Sequence, residues 1–224
     1  MNKRIIGIVG KSGSGKSTAI ETLDPKSTYI INVLGKALPF KGSDKLYNAE
    51  NKNIADIESY DQIISVIKKI SADRPEIKTI VLEDVGYVMF IEEFKRASET
   101  GYNKFSEISN HMFQIFQTSK TSREDLNIVY NFHENLDLKE GYGLVREIKL
   151  GGKMIKEKFS PEENLTVILY TKVDYDPISK TAEYKFITNT TDIYPAKSPK
   201  GMFDSYEIPN DLNYVITKAN EYYS

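Results

Sequence analysis

The sequence predicts an α/β fold in which a mainly parallel β-sheet is flanked on both faces by helices and carries an antiparallel hairpin toward its C-terminus. Three observations lead there. Apolar, β-rich runs alternate with helical periodicity through the first two-thirds of the 224 residues, the pattern of parallel strands joined by crossover helices. The first such run, Arg4 to Val9, passes directly into a Gly/Ser-rich loop. Late in the chain two further β-rich runs stand close together around a turn containing proline, which is hairpin spacing.

Arg4 to Val9 reads as the first strand, ending at Gly10, and from Lys16 a helix-compatible stretch runs to about Leu23. Thr28 to Leu34 reads as a second strand. Residues Gly35 to Asn53 carry Gly, Pro, Lys and Asn without a sustained period and read as a long surface loop. Ile63, Ile64, Ile67 and Ile70 then share a helical face, closed by Pro75 before the strand Thr79 to Leu82. Val88 to Glu99, stopped by Gly101, and Phe105 to Thr118, with Phe105, Ile108, Met112, Ile115 and Phe116 on one stripe, are two more helices. A strand Asn127 to Phe132 follows. Leu165 to Thr171 and Glu183 to Thr188 form the hairpin about Asp174-Tyr175-Asp176-Pro177, and a last helix starts near Pro209 with Asn210 or its neighbours as cap. Its buried face holds Leu212, Val215, Ile216, Ala219 and Tyr223.

The length suits one sizeable core, so a single domain over 1–224 is expected. Hydrophobic residues at 40% and charged residues at 28% are those of a globular protein. With 30 Lys plus Arg against 32 Asp plus Glu, the whole-chain field favours no nucleic acid, and any such contact has to be local. The absence of cysteine excludes disulfides, thiolate nucleophiles and zinc–cysteine sites and fits a reducing cytoplasm. No apolar run reaches membrane-spanning length, and the N-terminal run lacks a signal-peptide cleavage pattern, so no membrane partner is expected.

Gly10-Lys11-Ser12-Gly13-Ser14-Gly15-Lys16-Ser17 satisfies every fixed position of the phosphate-loop pattern, with a strand before it and a helix-compatible stretch after it. Glycines let successive backbone N–H groups turn inward on phosphate oxygens. Lys16 is expected to bridge the β- and γ-phosphates of ATP, Ser17 to supply a hydroxyl to Mg²⁺, and Thr18 to support the α-phosphate. The run Thr79-Ile80-Val81-Leu82-Glu83-Asp84 has the form of the second phosphate-loop signature, an apolar strand ending in an acid that holds the metal. Of Glu83 and Asp84, one can serve the metal while the other orients or deprotonates the attacking water, and sequence leaves the assignment open. His133 directly follows the strand that ends at Phe132, where it would meet the γ-phosphate or the lytic water; His111, on a helix, reads as a surface residue. These residues, Lys16, Glu83, Asp84 and His133, are the catalytic candidates. Arg146, Lys149, Lys153, Lys156 and Lys158 crowd a segment with Gly151-Gly152, opposed only by Glu147 and Glu157. Such a loop suits DNA phosphates or a neighbouring subunit's nucleotide.

On these residues the chain resembles a group of phage-encoded ATPases with a RecA-like core, AAA-type nucleotide-binding proteins linked to single-strand annealing recombination. Beyond the phosphate loop the resemblance rests on Asn32-Val33-Leu34-Gly35-Lys36-Ala37-Leu38-Pro39-Phe40, on the acid pair followed by Tyr87, and on Gly101-Tyr102-Asn103-Lys104-Phe105 and His133-Glu134. The most specific parts are Ala196-Lys197-Ser198-Pro199-Lys200-Gly201-Met202-Phe203 and Ile208-Pro209-Asn210-Asp211-Leu212. In such proteins the first acid is usually Asp, where this chain has Glu83. The resemblance implies a RecA-like fold, homo-oligomers, single-stranded DNA and replication or recombination proteins as partners, and a bacterial host cytoplasm. It also implies a basic segment that appears here as Lys149-Leu150-Gly151-Gly152-Lys153, giving Lys149 and Lys153 a trans or DNA contact.

Two other classes compete. A nucleoside or nucleotide kinase also begins with a phosphate loop, but it needs clustered cations at the acceptor phosphate, and the five arginines here, Arg4, Arg74, Arg96, Arg123 and Arg146, are scattered. The other is a nucleotide-gated assembly protein with little turnover; an intact Lys16 and acid pair argue against a dead site and remain compatible with slow hydrolysis.

Overall fold

The computed structural model describes residues 2–139, 143–151, 160–191 and 193–224. Nine described strands form one mixed sheet: β1 (Ile5–Gly10), β2 (Thr28–Asn32), β3 (Ile54–Asp56), β4 (Thr79–Glu83), β5 (Asn127–Lys139), β6 (Gly143–Ile148), β7 (Val167–Asp176), β8 (Thr181–Ile187) and β9 (Glu207–Pro209). Their order is β3-β2-β4-β5-β1-β7-β8-β9, with β6 pairing on a protruding part of β5. From β3 through β7 neighbouring strands are parallel, and the β7–β8–β9 end is antiparallel. The six described α-helices are α1 (Ser43–Leu46), α2 (Tyr60–Asp73), α3 (Tyr87–Lys95), α4 (Asn103–Thr121), α5 (Pro161–Asn164) and α6 (Leu212–Tyr222).

The central strands are apolar on both faces, and their alternation divides two cores. Ile5, Val9, Ile31, Ile80, Leu82, Ile128, Tyr130 and Phe132 point to one face, where Ile63, Ile67 and Ile70 of α2 and Ile108, Met112, Ile115 and Phe116 of α4 cover them. Ile6, Ile8, Ile30, Val81 and Val129 point to the other, under Ile20, Leu38, Tyr47, Met202, Phe203 and the Leu212–Ile216 turn of α6. With Val88 and Met89 of α3 also on the first face, the covering is unequal, three helices against loops and one late helix.

Four details differ from the sequence expectation. The stretch after the phosphate loop forms only a 3₁₀ turn, Thr18–Thr22, because Pro25 disfavours helical Asp24 and β2 begins at Thr28. The long loop before Ile54 buries Leu38 and Tyr47 and contains α1, and β3 follows it; both elements are too short to set a period. β5 continues to Lys139 and pairs antiparallel with β6, an alternation hidden in sequence by the charges of Glu134 to Lys139. The hairpin turn lies at 177–180, beyond the expected position, because Asp176 accepts from Ile178 N (2.8 Å) and Ser179 Oγ (2.7 Å) and so ends the strand itself. The cap of α6 is Asp211, which accepts from Tyr214 N at 2.9 Å.

Candidate functional site

Parallel register gathers the site. Gly10 at the end of β1 stands beside His133, which lies within β5 and not after it, and Asn32 at the end of β2 stands beside Glu83 at the end of β4, so three strand ends and the midpoint of β5 share one edge. Ligands of open α/β sheets bind at such carboxyl ends. The segments expected to converge do so around a cleft of about 200 Å³ lined by the phosphate loop, Asn32, Lys36, Glu83, Asp84 and His133.

The loop takes its shape from two left-handed glycines, Gly13 at φ +75° and Gly15 at φ +97°. Its crown is tied to β7: Thr171 Oγ1 donates to Ser14 Oγ at 2.6 Å, and Ser14 Oγ donates to Lys11 O at 2.7 Å. Lys16 is buried, and its Nζ donates to Gly10 O (3.0 Å) and Lys11 O (2.8 Å). Burial pulls its pKa below the usual lysine value against the pull of Glu83 and Asp84.

Glu83 is fully enclosed. Ser17 Oγ donates to Glu83 Oε1, and Asn131 Nδ2 donates to Oε2 at 2.6 Å. Burial raises its pKa, opposed by these two hydrogen bonds. Asp84 takes a left-handed backbone, φ +56°, which turns its carboxylate away from that of Glu83. Its Oδ1 lies 2.9 Å from His133 Nε2 and its Oδ2 accepts from Lys36 Nζ at 3.0 Å. Burial works against the charge of Asp84, but the His133 and Lys36 hydrogen bonds outweigh it and hold the pKa below the ordinary value.

Sequence reasoning missed Lys36, Asn131 and Thr171. Asn131 carried a signal, an amide between the buried Tyr130 and Phe132, and Lys36 lies just past the end of β2 on the same edge. The Asn32 side chain fixes Lys36 by donating to its carbonyl at 2.8 Å. Of the basic segment, Arg146 is not a solvated finger: it is bound to Glu134 at 2.6 Å and lies over the Tyr194 ring at 4.5 Å. Lys149 stands at the rim, its N–H donating to His133 O at 2.8 Å and its ammonium 5.7 Å from the Tyr87 ring. Lys153, Lys156 and Lys158 lie outside the described residues. His111 is not a free surface residue but stacks on Tyr60 at 3.6 Å and bonds Glu92 at 2.9 Å.

Residues 2–199 match the AAA domain family. The chain belongs to that family. With membership goes the general activity, ATP binding and hydrolysis on an α/β P-loop fold of the RecA-like kind. Among solved structures the AAA domain is similar to a KaiC-like protein of the hyperthermophilic archaeon Pyrococcus horikoshii OT3, with a TM-score of 0.50 and 10% identity over 88% of this chain and 82% of that one. At that identity the likeness concerns the fold. No curated protein matches the sequence significantly. No described helix is long and apolar enough to cross a membrane.

Proposed function

We propose that this AAA domain is a Mg²⁺-dependent ATPase in which Ser17 and Glu83 serve the metal and Asp84, His133 and Lys36 act at the γ-phosphate. The observation that carries the reading is the pairing of Ser17 with Glu83 while Asp84 faces His133 and Lys36. Hydroxyl and carboxylate oxygens converging from the loop and β4 are the hard donors that Mg²⁺ takes. Bound there, the metal would neutralise charge on the β- and γ-phosphate oxygens. Lys16, already desolvated and held over the loop, exchanges the Gly10 and Lys11 carbonyls for phosphate oxygens. Asp84 orients a water; as the water oxygen bonds to the γ-phosphorus, the bond to the β–γ bridging oxygen breaks, ADP leaves with that electron pair, and the water proton passes to Asp84. His133 fixes the carboxylate, and Lys36 supplies a second cation to the equatorial oxygens.

We further propose that turnover is coupled to single-stranded DNA in a homo-oligomer working with replication or recombination proteins. This part rests on the sequence resemblance and on Lys149 standing at the rim of the cleft. A kinase reading is less favoured, since the described cleft brings Lys16 and Lys36 but no arginine to the phosphates.

The test is steady-state ATP hydrolysis with Mg²⁺, with and without single-stranded DNA, using Lys16→Ala as the blank. Turnover that depends on Lys16 and rises with DNA supports both parts. Lys16-dependent turnover indifferent to DNA removes the DNA part, and turnover unchanged in the variant removes the site.

A further inference from the structure

The triphosphate has only one direction in which to lie if its γ end is at Asp84 and His133. Its α end then runs across Gly15 toward Thr18, away from β4 and toward the β7–β8–β9 side of the sheet. Two side chains from that side meet the loop. A methyl group placed on Gly15 would come within 2.9 Å of Tyr184 Cδ1 and 3.1 Å of both amide heteroatoms of Asn210. The ring and the amide therefore lie directly on the backbone that the α-phosphate crosses.

Neither side chain is accounted for by packing. Tyr184 follows the face that buries Phe186, yet its ring is 40% exposed. Asn210 Nδ2 is buried without a hydrogen-bond partner, an arrangement that folded proteins rarely leave without a reason. The frame that holds Asn210 is rigid. Asp211 N donates to Pro209 O at 2.8 Å, Asp211 caps α6, and Asn213 N donates to Thr22 Oγ1 at 3.1 Å, tying the segment to the 3₁₀ turn after the loop. The shortness of that turn brings the β9–α6 junction to the loop.

We infer that Tyr184 and Asn210 form the base subsite, with Tyr184 stacking on a purine and Asn210 selecting adenine over guanine. The inference rests on the phosphate loop binding a nucleotide as proposed above. A carboxamide can donate from Nδ2 to adenine N7 and accept from the N6 amine. Guanine presents an oxo group in place of that amine and leaves two acceptors facing each other. Stacking on an aromatic face is tolerant of base identity, so Tyr184 gives affinity and Asn210 gives selectivity.

The experiment is equilibrium binding of ATP, GTP and inorganic tripolyphosphate, each with Mg²⁺, to the full chain and its variants. Tripolyphosphate reports the phosphate loop without a base. Tyr184→Ala should weaken ATP about tenfold and leave tripolyphosphate unchanged, while Tyr184→Phe binds ATP as the parent does. Tyr184→Leu keeps an apolar contact on Gly15 and should lose ATP affinity as the alanine variant does, which covers a folding failure of the latter. Asn210→Ala should reduce the preference for ATP over GTP. Equal losses for ATP and tripolyphosphate in the Tyr184 variants would make the ring a prop for the loop and overturn the inference. Absence of tripolyphosphate and ATP binding in the parent would instead refute the phosphate-loop reading.

Discussion

Gly10→Ala tests how the loop is held. The new Cβ would stand 1.8 Å from Thr171 Oγ1 and 2.7 Å from Ser14 Oγ, inside the hydrogen bond that joins them. Gly10, Ser14 and Thr171 are all buried, so the clash cannot be relieved into solvent. Overpacking a tight interior costs about 1–3 kcal/mol, and loss of the Thr171–Ser14 bond adds about 0.5–1.5 kcal/mol. The variant should therefore unfold in urea with about 2–4 kcal/mol less stability. Thr171→Ala alone removes the hydroxyl that the methyl strikes and should cost about 1–2 kcal/mol. Thr171→Ala removes the closest clash but leaves Ser14 Oγ 2.7 Å from the new Cβ, so the double variant should lose less stability than the two single losses added together, a non-additive cycle with a residual cost. Additive losses, or a Gly10→Ala protein as stable as the parent, would refute the geometry of the loop crown.

Four further outcomes follow from the site. Lys16→Ala should abolish turnover while costing about 1 kcal/mol or less of stability, because it removes a desolvated ammonium bonded to two backbone carbonyls; this is read by ATPase rate and thermal unfolding. Glu83→Gln keeps the volume and a partner for Ser17 and Asn131, so the fold should survive while half-maximal activity moves to much higher Mg²⁺; an unchanged Mg²⁺ titration would dismiss the metal role. Asp84→Asn should lower kcat by about a hundredfold or more with ATP binding retained, as expected of a lost general base. His133→Ala should also spare ATP binding and slow hydrolysis, since it leaves the Asp84 carboxylate with Lys36 alone; normal turnover would return His133 to a structural role.

The fold was legible where burial imposes a period. Ile63, Ile67 and Ile70 betray α2 because one face has to meet the sheet, and Thr79 to Leu82 betrays β4 because both faces are covered. What stayed hidden lacks that constraint. The β5–β6 hairpin projects past the sheet with Leu138 and Leu144 exposed, so charged and apolar residues alternate without a core to sort them. The 3₁₀ turn after the loop was expected to be longer because Ala19, Ile20 and Leu23 do satisfy helical spacing; Pro25 and the early start of β2 cut it short.

The site divides the same way. Gly10 to Ser17 is readable because phosphate binding demands particular residue types at fixed spacing, Glu83 and Asp84 because they end and follow a buried strand, and His133 because it stands where the buried part of β5 gives way to its exposed extension. The distinction between the two acids was not readable, since it depends on partners remote in sequence: Glu83 meets Ser17 and Asn131, while Asp84, on a left-handed backbone, meets His133 and Lys36. Lys36, Thr171, Tyr184 and Asn210 reach the loop from segments whose sequences carry no phosphate signature. They meet it because β2 and β7 through β9 end or turn at its two sides, and contacts of that kind belong to topology rather than to any local run of residues.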